Sequence, residues 1–105
     1  MADNVYTPES EKRIIVVDEF QWDEANVEHI ARHGITPEEA EEAYLDENRR
    51  YLSIPRTSRE TRRALLGKTE DGRILFLVYT LRLRYVRILS TRDATSPEKR
   101  QYRKK

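Results

Sequence analysis

Several kinds of functional site are excluded by residues that this sequence lacks. The 105 residues include no cysteine, so the chain has no disulfide, no thiol nucleophile and no thiolate metal ligand. With only three glycines it has no glycine-rich phosphate loop. The longest apolar run, Ile74 to Tyr79, is too short to cross a membrane, and we recognise no signal peptide. We therefore expect a cytoplasmic protein with no membrane contact.

Charge is divided unevenly along the chain, although the formal net charge is only +1. Residues 1–48 contain three basic and fourteen acidic residues, whereas residues 49–105 contain seventeen basic and five acidic residues. The two parts therefore carry formal charges of −11 and +12. Most of the basic residues are arginines, whose guanidinium groups suit phosphate oxygens, so the basic part favours nucleic acid as a partner. The alternative is that the acidic half neutralises the basic half within one fold.

The N-terminal part of the sequence predicts an arm, a strand and two helices. Residues 1–12 are polar and are predicted to form a flexible arm, and residues 13–105 a single domain. The β-branched run 13–18 predicts a short strand. Asp23 is a good N-cap for a helix over residues 24–33, and Thr36 with Glu39 forms a capping box for a second helix over 37–46. Phe20 and Trp22 are expected to anchor the first helix to the core.

The C-terminal part predicts a β-meander and a last helix. A strand is expected over residues 49–54, a loop over 56–61, and a helix over 97–103 with Ser96 as its cap. Asp71-Gly72 is a strong hairpin signal, and a two-residue turn there would place Arg63 opposite Thr80 and Lys68 opposite Leu75. A second reversal near Arg82-Leu83 would place Tyr85 opposite Thr80 and Arg87 opposite Val78.

This register divides the meander into two faces, because successive side chains alternate across a strand. The first is an apolar core surface. The second is apolar at one end and carries arginine at the other, and we expect a cationic pocket there. The predicted first face is Ala64, Leu66, Leu75, Leu77, Tyr79, Val86 and Ile88, and the second is Arg63, Leu65, Phe76, Val78, Thr80, Tyr85, Arg87 and Leu89.

Metal-dependent and serine-dependent chemistry find little support. His29 and His33 have the spacing of metal ligands on one helical face, but Ile30 stands where a zinc protease has glutamate, and the chain has no other histidine. No carboxylate pair in the basic half suits Mg²⁺, and no Ser-His-Asp set can be assembled, so we expect no metal and no cofactor. His33 either closes its helix, where its charge is favourable, or acts as a general acid or base.

What the sequence does offer is a group of arginines in and beside the predicted sheet. RNA carries its own nucleophile, the 2′-hydroxyl, so a ribonuclease needs only to align the backbone, stabilise charge on the phosphorane and move two protons. Preorganised arginines can supply the electrostatic part without a metal or a thiol. The residues of this group are Arg62, Arg63, Arg87 and Arg92, with Tyr79, Thr80, Tyr85 and Tyr102 nearby.

A series of segments is similar, in order, to one family of proteins. The segments are Phe20 to Asp23, Asn26 to Ile35, Pro37 to Ala40, Gly67 to Thr69, Asp71 to Arg73, Val78 to Thr80, Arg87 to Ala94 and Glu98 to Tyr102. Each motif is loose, but together they resemble BrnT-type toxins over about residues 20–102. Departures are Asn26, where lysine is common in the family, and Thr91, where the family has alanine in Ser-Ala-Arg.

The resemblance implies a RelE-like fold and a ribonuclease toxin of a type II toxin–antitoxin pair. It also implies a BrnA-like antitoxin that caps the toxin and binds the operator. Arg87 and Arg92 match the family's catalytic candidates, and either Arg62 or Arg63 matches the arginine before the Gly67 strand. His33 occupies the His-Gly position of the family.

We therefore predict an α+β domain in which two N-terminal helices pack on a twisted antiparallel sheet with a short C-terminal helix, a RelE-like arrangement. The predicted function is metal-independent endoribonuclease activity that inhibits translation and is neutralised by a cognate antitoxin in a hetero-oligomer. The alternatives are a non-catalytic module that docks nucleic acid or an acidic partner, and a metal enzyme using His29 and His33. The catalytic candidates are Arg63, Arg87, Arg92 and His33, and the RNA-binding candidates are Arg62, Thr80, Tyr85 and Tyr102.

Overall fold

The computed structural model describes residues 19–55 and 61–104, and within them the chain has an α+β fold. The predicted arm over 1–12, the strand over 13–18 and residues 56–60 of the predicted loop lie outside these ranges. Each helix in these ranges has eight residues, too few to cross a lipid bilayer. The elements are β1 (Glu19–Phe20), α1 (Glu24–Ala31), α2 (Pro37–Tyr44), β2 (Arg50–Leu52), β3 (Arg63–Lys68), β4 (Ile74–Arg82), β5 (Tyr85–Asp93) and α3 (Ser96–Arg103).

Side-chain caps begin the first two helices as the sequence predicts. The Asp23 carboxylate accepts a hydrogen bond from the backbone N–H of Asn26, and the Asn26 side chain accepts one from the N–H of Asp23. Thr36 and Glu39 form the same reciprocal pair at the start of α2. These bonds satisfy backbone donors that have no partner within a helix, so the starting points are set locally.

The predicted cap of the last helix was wrong by one residue. Thr95, rather than Ser96, accepts from the N–H of Glu98, and the Glu98 carboxylate accepts from the N–H of Thr95. A cap at Ser96 would have placed Lys99 at the reciprocal position, where it has no acceptor. The carboxylate of Glu98 therefore decides between two adjacent candidate caps.

The five strands form one mixed sheet in the order β1-β5-β4-β3-β2. Strands β2 to β5 are antiparallel, as predicted, but β1 pairs with β5 in parallel, so a purely antiparallel sheet was wrong. Beyond β1, the N–H of Gln21 donates to the Val86 carbonyl (2.8 Å), and the Asn26 side chain donates to the Ile88 carbonyl (3.2 Å). The chain entering α1 thus covers the free edge of β5.

The β3–β4 hairpin turns at Gly72 through a loop of three residues. The N–H of Gly72 donates to the Thr69 carbonyl (2.9 Å), and the N–H of Thr69 donates to the Arg73 carbonyl (2.8 Å). Gly72 has φ +91°, the left-handed conformation in which glycine closes such loops with a bulge. The dipeptide Asp71-Gly72 marks the hairpin correctly, but the predicted two-residue turn was wrong.

This longer loop shifts the predicted β3–β4 register by one residue. Arg63 lies opposite Tyr79, not Thr80, and Lys68 lies opposite Ile74, not Leu75. Because side chains alternate with a period of two, a shift of one residue moves every side chain of β3 to the other face. The face assignments of the β3 residues were therefore wrong: Arg63 and Leu65 exchange faces with Ala64 and Leu66.

The β4–β5 reversal lies at Leu83 and Arg84, close to the predicted position. Its predicted pairs were wrong, because Thr80 lies opposite Arg87 and Arg82 lies opposite Tyr85. An irregularity at Val78/Tyr79 follows, where Val78 pairs with Ser90 and Tyr79 with Ile88. β5 therefore has one extra residue, Leu89, at this bulge, and the bulge brings Ser90 to the same face as Arg87.

The core lies between the sheet and the helices α1 and α2. Phe20 and Trp22 pack against it as predicted, and Trp22 Nε1 donates to Glu41 Oε2 (2.7 Å). Gly67 permits α2 to approach β3 closely, since a Cβ at this position would lie 1.9 Å from the Ala43 carbonyl oxygen. The buried core residues are Ile30, Ile35, Ala40, Ala43, Tyr44, Leu65, Leu75, Leu77, Tyr79, Val86 and Ile88.

Candidate nucleic-acid interface

The side of the sheet that faces away from α1 and α2, here called the open face, carries most of the predicted site residues. Directly paired residues of antiparallel strands share a face, so the register gives its composition row by row. α3 packs on one end of this face, where Tyr102 contacts a buried cluster that includes Leu66 and Ile74. From that end the rows are Lys68 and Ile74; then Arg50, Leu66, Phe76 and Arg92; then Leu52, Ala64, Val78 and Ser90; then Thr80 and Arg87; and finally Arg82 and Tyr85.

Arg92 is held on the open face by an aromatic ring and a carboxylate. Its guanidinium carbon lies 4.2 Å from the centroid of the Phe76 ring, and its Nη1 and Nη2 donate to the two Glu98 oxygens at 2.8 and 3.0 Å. The pKa of Glu98 is lowered from 4.5 to about 2, with the Arg92 hydrogen bonds as the largest cause and hydrogen bonds with Thr95 adding to it. Two parallel hydrogen bonds and a stacked ring fix the orientation of this guanidinium.

Arg87 is fixed in a similar way at the other end of β5. Its Nη1 and Nη2 donate to the two carboxylate oxygens of Asp23 at 2.9 and 3.3 Å, and its Nη1 also lies 3.4 Å from Gln21 Oε1. These hydrogen bonds are the largest cause that lowers the pKa of Asp23. The N-cap residue of α1 therefore also orients an arginine of the sheet.

Thr80 connects β4 to the segment that precedes β3. Its side chain is 2% exposed, and its hydroxyl donates to the Thr61 carbonyl (2.8 Å). This bond holds residues 61 and 62 alongside the row of Thr80 and Arg87. Arg62 is exposed and directly precedes Arg63, so the alternation of β3 continued by one residue puts Arg62 on the open face.

Arg63 lies on the face of the sheet that carries the core, opposite Tyr79. It is exposed and lines a cleft of about 360 Å³ together with Tyr51, Tyr79 and Arg62. Burial raises the pKa of Tyr79, and the positive charge of Arg63 opposes that increase only in part. Arg63 and Arg87, predicted to share one face, are therefore on opposite faces of the sheet.

His33 lies on the same side of the sheet as the helices, just beyond the C-terminal end of α1. Its imidazole is exposed, and its carbonyl accepts a hydrogen bond from Arg73 Nη2 (3.2 Å). Arg73 also donates to the Gly34 carbonyl and to Asp93, so it ties the end of α1 to β5. The structure does not bring His33 together with the arginines of the open face.

The two predicted tyrosines differ in accessibility. Tyr85 is 37% exposed at the end of β5, on the open face. Tyr102 is buried under α3, and its hydroxyl donates to Asp46 Oδ2. Burial and that carboxylate raise the pKa of Tyr102. Tyr102 therefore attaches α3 to the end of α2, and only Tyr85 presents its ring to solvent.

Within residues 19–55 and 61–104, no three His, Cys, Asp or Glu side chains come together in an arrangement that could hold a metal ion. His29 and His33 are both exposed on α1 and beyond its end. Neither gains a further protein ligand from the described part of the chain.

The sequence interpretation missed the partners that fix the arginines. Asp23 and Glu98 were read only as residues at helix starts, but each also binds an arginine through two hydrogen bonds. The Glu98–Arg92 pair spans six residues and a turn into α3, so its proximity could have been inferred. Asp23 and Arg87 are 64 residues apart, and nothing in the local pattern joins them.

Comparison with known protein families identifies a match that covers most of the chain. The comparison with curated proteins finds no match. The family model described as "Ribonuclease toxin, BrnT, of type II toxin-antitoxin system" matches residues 22–98, nearly three quarters of the chain. The matched range includes α1, α2, all the strands from β2 to β5 and the first turn of α3. The chain therefore belongs to the BrnT family of ribonuclease toxins of type II toxin–antitoxin systems.

Proposed function

We propose that this toxin is a metal-independent endoribonuclease that cleaves RNA on the open face of its sheet and thereby stops translation in the cytoplasm. We further propose that a cognate BrnA-like antitoxin neutralises it in a hetero-oligomer, and that its α+β fold is of the RelE-like type. The observation that carries the proposal is the presence of Arg87 and Arg92 on one face, each with its guanidinium fixed by a carboxylate.

The proposed chemistry uses the nucleophile that RNA supplies. The 2′-oxygen forms a bond to the adjacent phosphorus as its proton leaves, and the bond from phosphorus to the 5′-oxygen breaks as that oxygen gains a proton. The products are a 2′,3′-cyclic phosphate and a free 5′-hydroxyl. Negative charge accumulates on the phosphorane between these steps, and fixed guanidinium groups stabilise it without further rearrangement.

Arg62 and Arg87 are the residues proposed to contact the scissile phosphate. They flank β4 on the open face, and two strand spacings of about 4.8 Å set their backbones roughly 10 Å apart, a gap that two arginine side chains can span. Thr80 positions Arg62 through its bond to the Thr61 carbonyl. Arg92 lies five residues beyond Arg87 on β5, so it is proposed to contact a neighbouring phosphate.

Arg63 and His33 are not expected to contact the scissile phosphate, because both lie on the other side of the sheet. Tyr85 is proposed to stack on a base, since its ring is exposed beside the same row. Tyr102 contributes by fixing α3, which covers the first row of the open face.

Expression and cleavage assays test the function. Expression of the chain alone should arrest growth, and Arg87→Ala or Arg92→Ala should relieve the arrest, whereas Arg32→Ala at the exposed C-cap of α1 should not. Purified protein should cleave labelled RNA in the presence of EDTA and leave a cyclic phosphate. If both open-face variants stay as toxic as the parent at equal soluble expression, the assigned site is wrong.

A non-catalytic binding module is the second candidate, because both Arg87 and Arg92 already have carboxylate partners. Such pairs can be purely structural, with each arginine holding one helix start against β5. A module of this kind would retard labelled RNA in a gel without cleaving it, with or without EDTA. Chelator-resistant cleavage that Arg87→Ala abolishes would support the enzyme instead.

A further inference from the structure

A groove lined by positive charge runs between β2 and α3, separate from the row of Thr80 and Arg87. Its volume is about 900 Å³, and its described lining residues contain four cations and no carboxylate. Within the described ranges no hydrogen bond or ion pair engages the side chains of Arg50, Arg100 or Arg103. The lining residues are Arg50, Pro97, Arg100, Gln101, Arg103 and Lys104.

Two different elements build this groove, and both bring cations to it. One side of α3 and its C-cap form one wall of the groove. The residues of this wall have the i, i+3, i+4, i+7 spacing of a single helical face, and they are Pro97, Arg100, Gln101 and Lys104. Arg50 on β2 forms the other wall. An adjoining cleft of about 490 Å³ continues the same surface and adds Arg49 and Lys68 to the positive charge.

Helix stabilisation accounts for only part of this surface. Arg100 and Arg103 lie in the last turn of α3, where positive charge is favourable because the helix dipole is negative there. That effect falls off within one turn and does not involve Arg50, which is on another element. The arginines that hold elements together in this fold, Arg73, Arg87 and Arg92, each bind a carboxylate. The arginines of the groove have no such partner within the described ranges, so a purely structural role does not explain them.

The register connects this groove to the proposed cleavage site. One row of the open face consists of Arg50, Leu66, Phe76 and Arg92. Because Arg50 lines the groove, the groove lies at one end of this row and Arg92 at the other. On the far side of Tyr102 the surface becomes acidic, because a neighbouring concavity of about 720 Å³ is lined by six carboxylates, including Glu41 and Asp46. A polyanion on the open face is therefore attracted to the groove and repelled from the region beyond it.

We propose that the groove between β2 and α3 binds the sugar–phosphate backbone of RNA several nucleotides from the cleaved bond. This inference rests on the proposed function, because it places the groove on the path of the same substrate. An acidic protein segment is the other polyanion with matching charge. RNA is favoured because Arg50, which lines the groove, also belongs to a row of the open face, and because the cations of the groove belong mostly to arginine.

Binding of an uncleavable RNA tests the groove apart from catalysis. The probe is a fluorescent 12-nucleotide 2′-O-methyl RNA, which lacks the nucleophile, and the affinity of the full chain is measured by anisotropy at several salt concentrations. Each phosphate contact in a single strand contributes about 0.7 to the salt slope, which corresponds to roughly 5-fold in affinity between 1 M and 0.1 M salt. Arg100→Gln and Arg103→Gln should each weaken binding by about this factor at 0.1 M salt.

Arg32→Gln at the exposed C-cap of α1 removes the same charge away from the groove and should leave the affinity and the slope unchanged. The groove variants should also keep the parent's rate on a dinucleoside monophosphate, which is too short to reach the groove. If they bind the probe as tightly as Arg32→Gln does, or if a polyglutamate peptide of equal charge competes better than RNA, the proposal is overturned. If unmodified RNA is never cleaved but the probe still binds through the groove, the cleavage proposal fails and the groove stands.

Discussion

Glu98→Gln is the substitution that best isolates one electrostatic interaction in this fold. The glutamine keeps an oxygen that can accept the Thr95 backbone hydrogen bond, so the cap of α3 is retained. It removes the negative charge that binds Arg92 through two hydrogen bonds. The variant therefore reports the free energy that this ion pair contributes to folding.

The structure sets the size of the stability loss that we expect for Glu98→Gln. The pKa of Glu98 is lowered from 4.5 to about 2, and at roughly 1.4 kcal/mol for each unit this gives an upper limit of about 3 kcal/mol. The Arg92 side chain is 37% exposed, so water screens the pair and reduces the value to about 1–2 kcal/mol. For a domain of about 100 residues such a loss lowers the melting temperature by about 5–10 °C.

The contribution of Glu98 to the free energy of unfolding increases with pH. The pKa of Glu98 is lower in the folded protein than in the unfolded chain, so its stabilising contribution is complete above about pH 4.5 and is lost as the pH falls toward 2. Thermal unfolding followed by circular dichroism should give a constant difference between parent and Glu98→Gln near neutral pH. That difference should shrink below the unfolded pKa and vanish near pH 2.

Glu28→Gln serves as the matched control, because Glu28 is an exposed residue in the middle of α1. It removes the same charge from the chain and should change the melting temperature little at any pH. If Glu98→Gln is as stable as the parent at neutral pH, or if its deficit persists unchanged to pH 2, the reasoning about this ion pair is refuted.

Three further substitutions test the packing and the backbone by urea unfolding. Gly67→Ala should lower the free energy of unfolding by at least about 2 kcal/mol, because the new Cβ meets the Ala43 carbonyl of α2; an unchanged midpoint would contradict the close contact. Thr91→Val should raise it by about 1 kcal/mol, because the buried Thr91 hydroxyl has no hydrogen-bond partner among the described residues; a loss of stability would mean that this hydroxyl is bonded. Leu83→Asn should raise it by about 0.5 kcal/mol, since Leu83 has φ +53° and is almost fully exposed, and a decrease would argue against strain at the turn.

Features that depend on a few adjacent residues could be predicted from the sequence. The starts of α1 and α2 follow from Asp23 and from Thr36 with Glu39, because each cap is completed within three residues. The pairing of β3 with β4 could also be predicted, since Asp71-Gly72 marks a reversal. The same dipeptide fits a two-residue and a three-residue loop, and only the second gives the observed register.

Features that depend on distant residues could not be predicted. The hairpin register decides whether Arg63 shares a face with Arg87, and a single residue of loop length reverses the answer. The bulge at Leu89 has no glycine or proline to mark it, although it decides where Ser90 lies. The contact of Asp23 with Arg87 joins the start of α1 to the last strand, which requires knowledge of the whole sheet.

The most direct test compares two adjacent arginines: the register puts Arg63 on the core face, and the alternation of β3 continued by one residue puts Arg62 on the open face. Arg62→Lys and Arg63→Lys retain the charge but lose the planar guanidinium, and their rates of cleavage of labelled RNA are measured in EDTA against the parent. Loss of one stabilising donor typically slows such a reaction by about 100-fold or more, so we expect this loss for Arg62→Lys and near-parental activity for Arg63→Lys. The reverse result, with Arg63 essential and Arg62 dispensable, would contradict the assignment of cleavage to the open face.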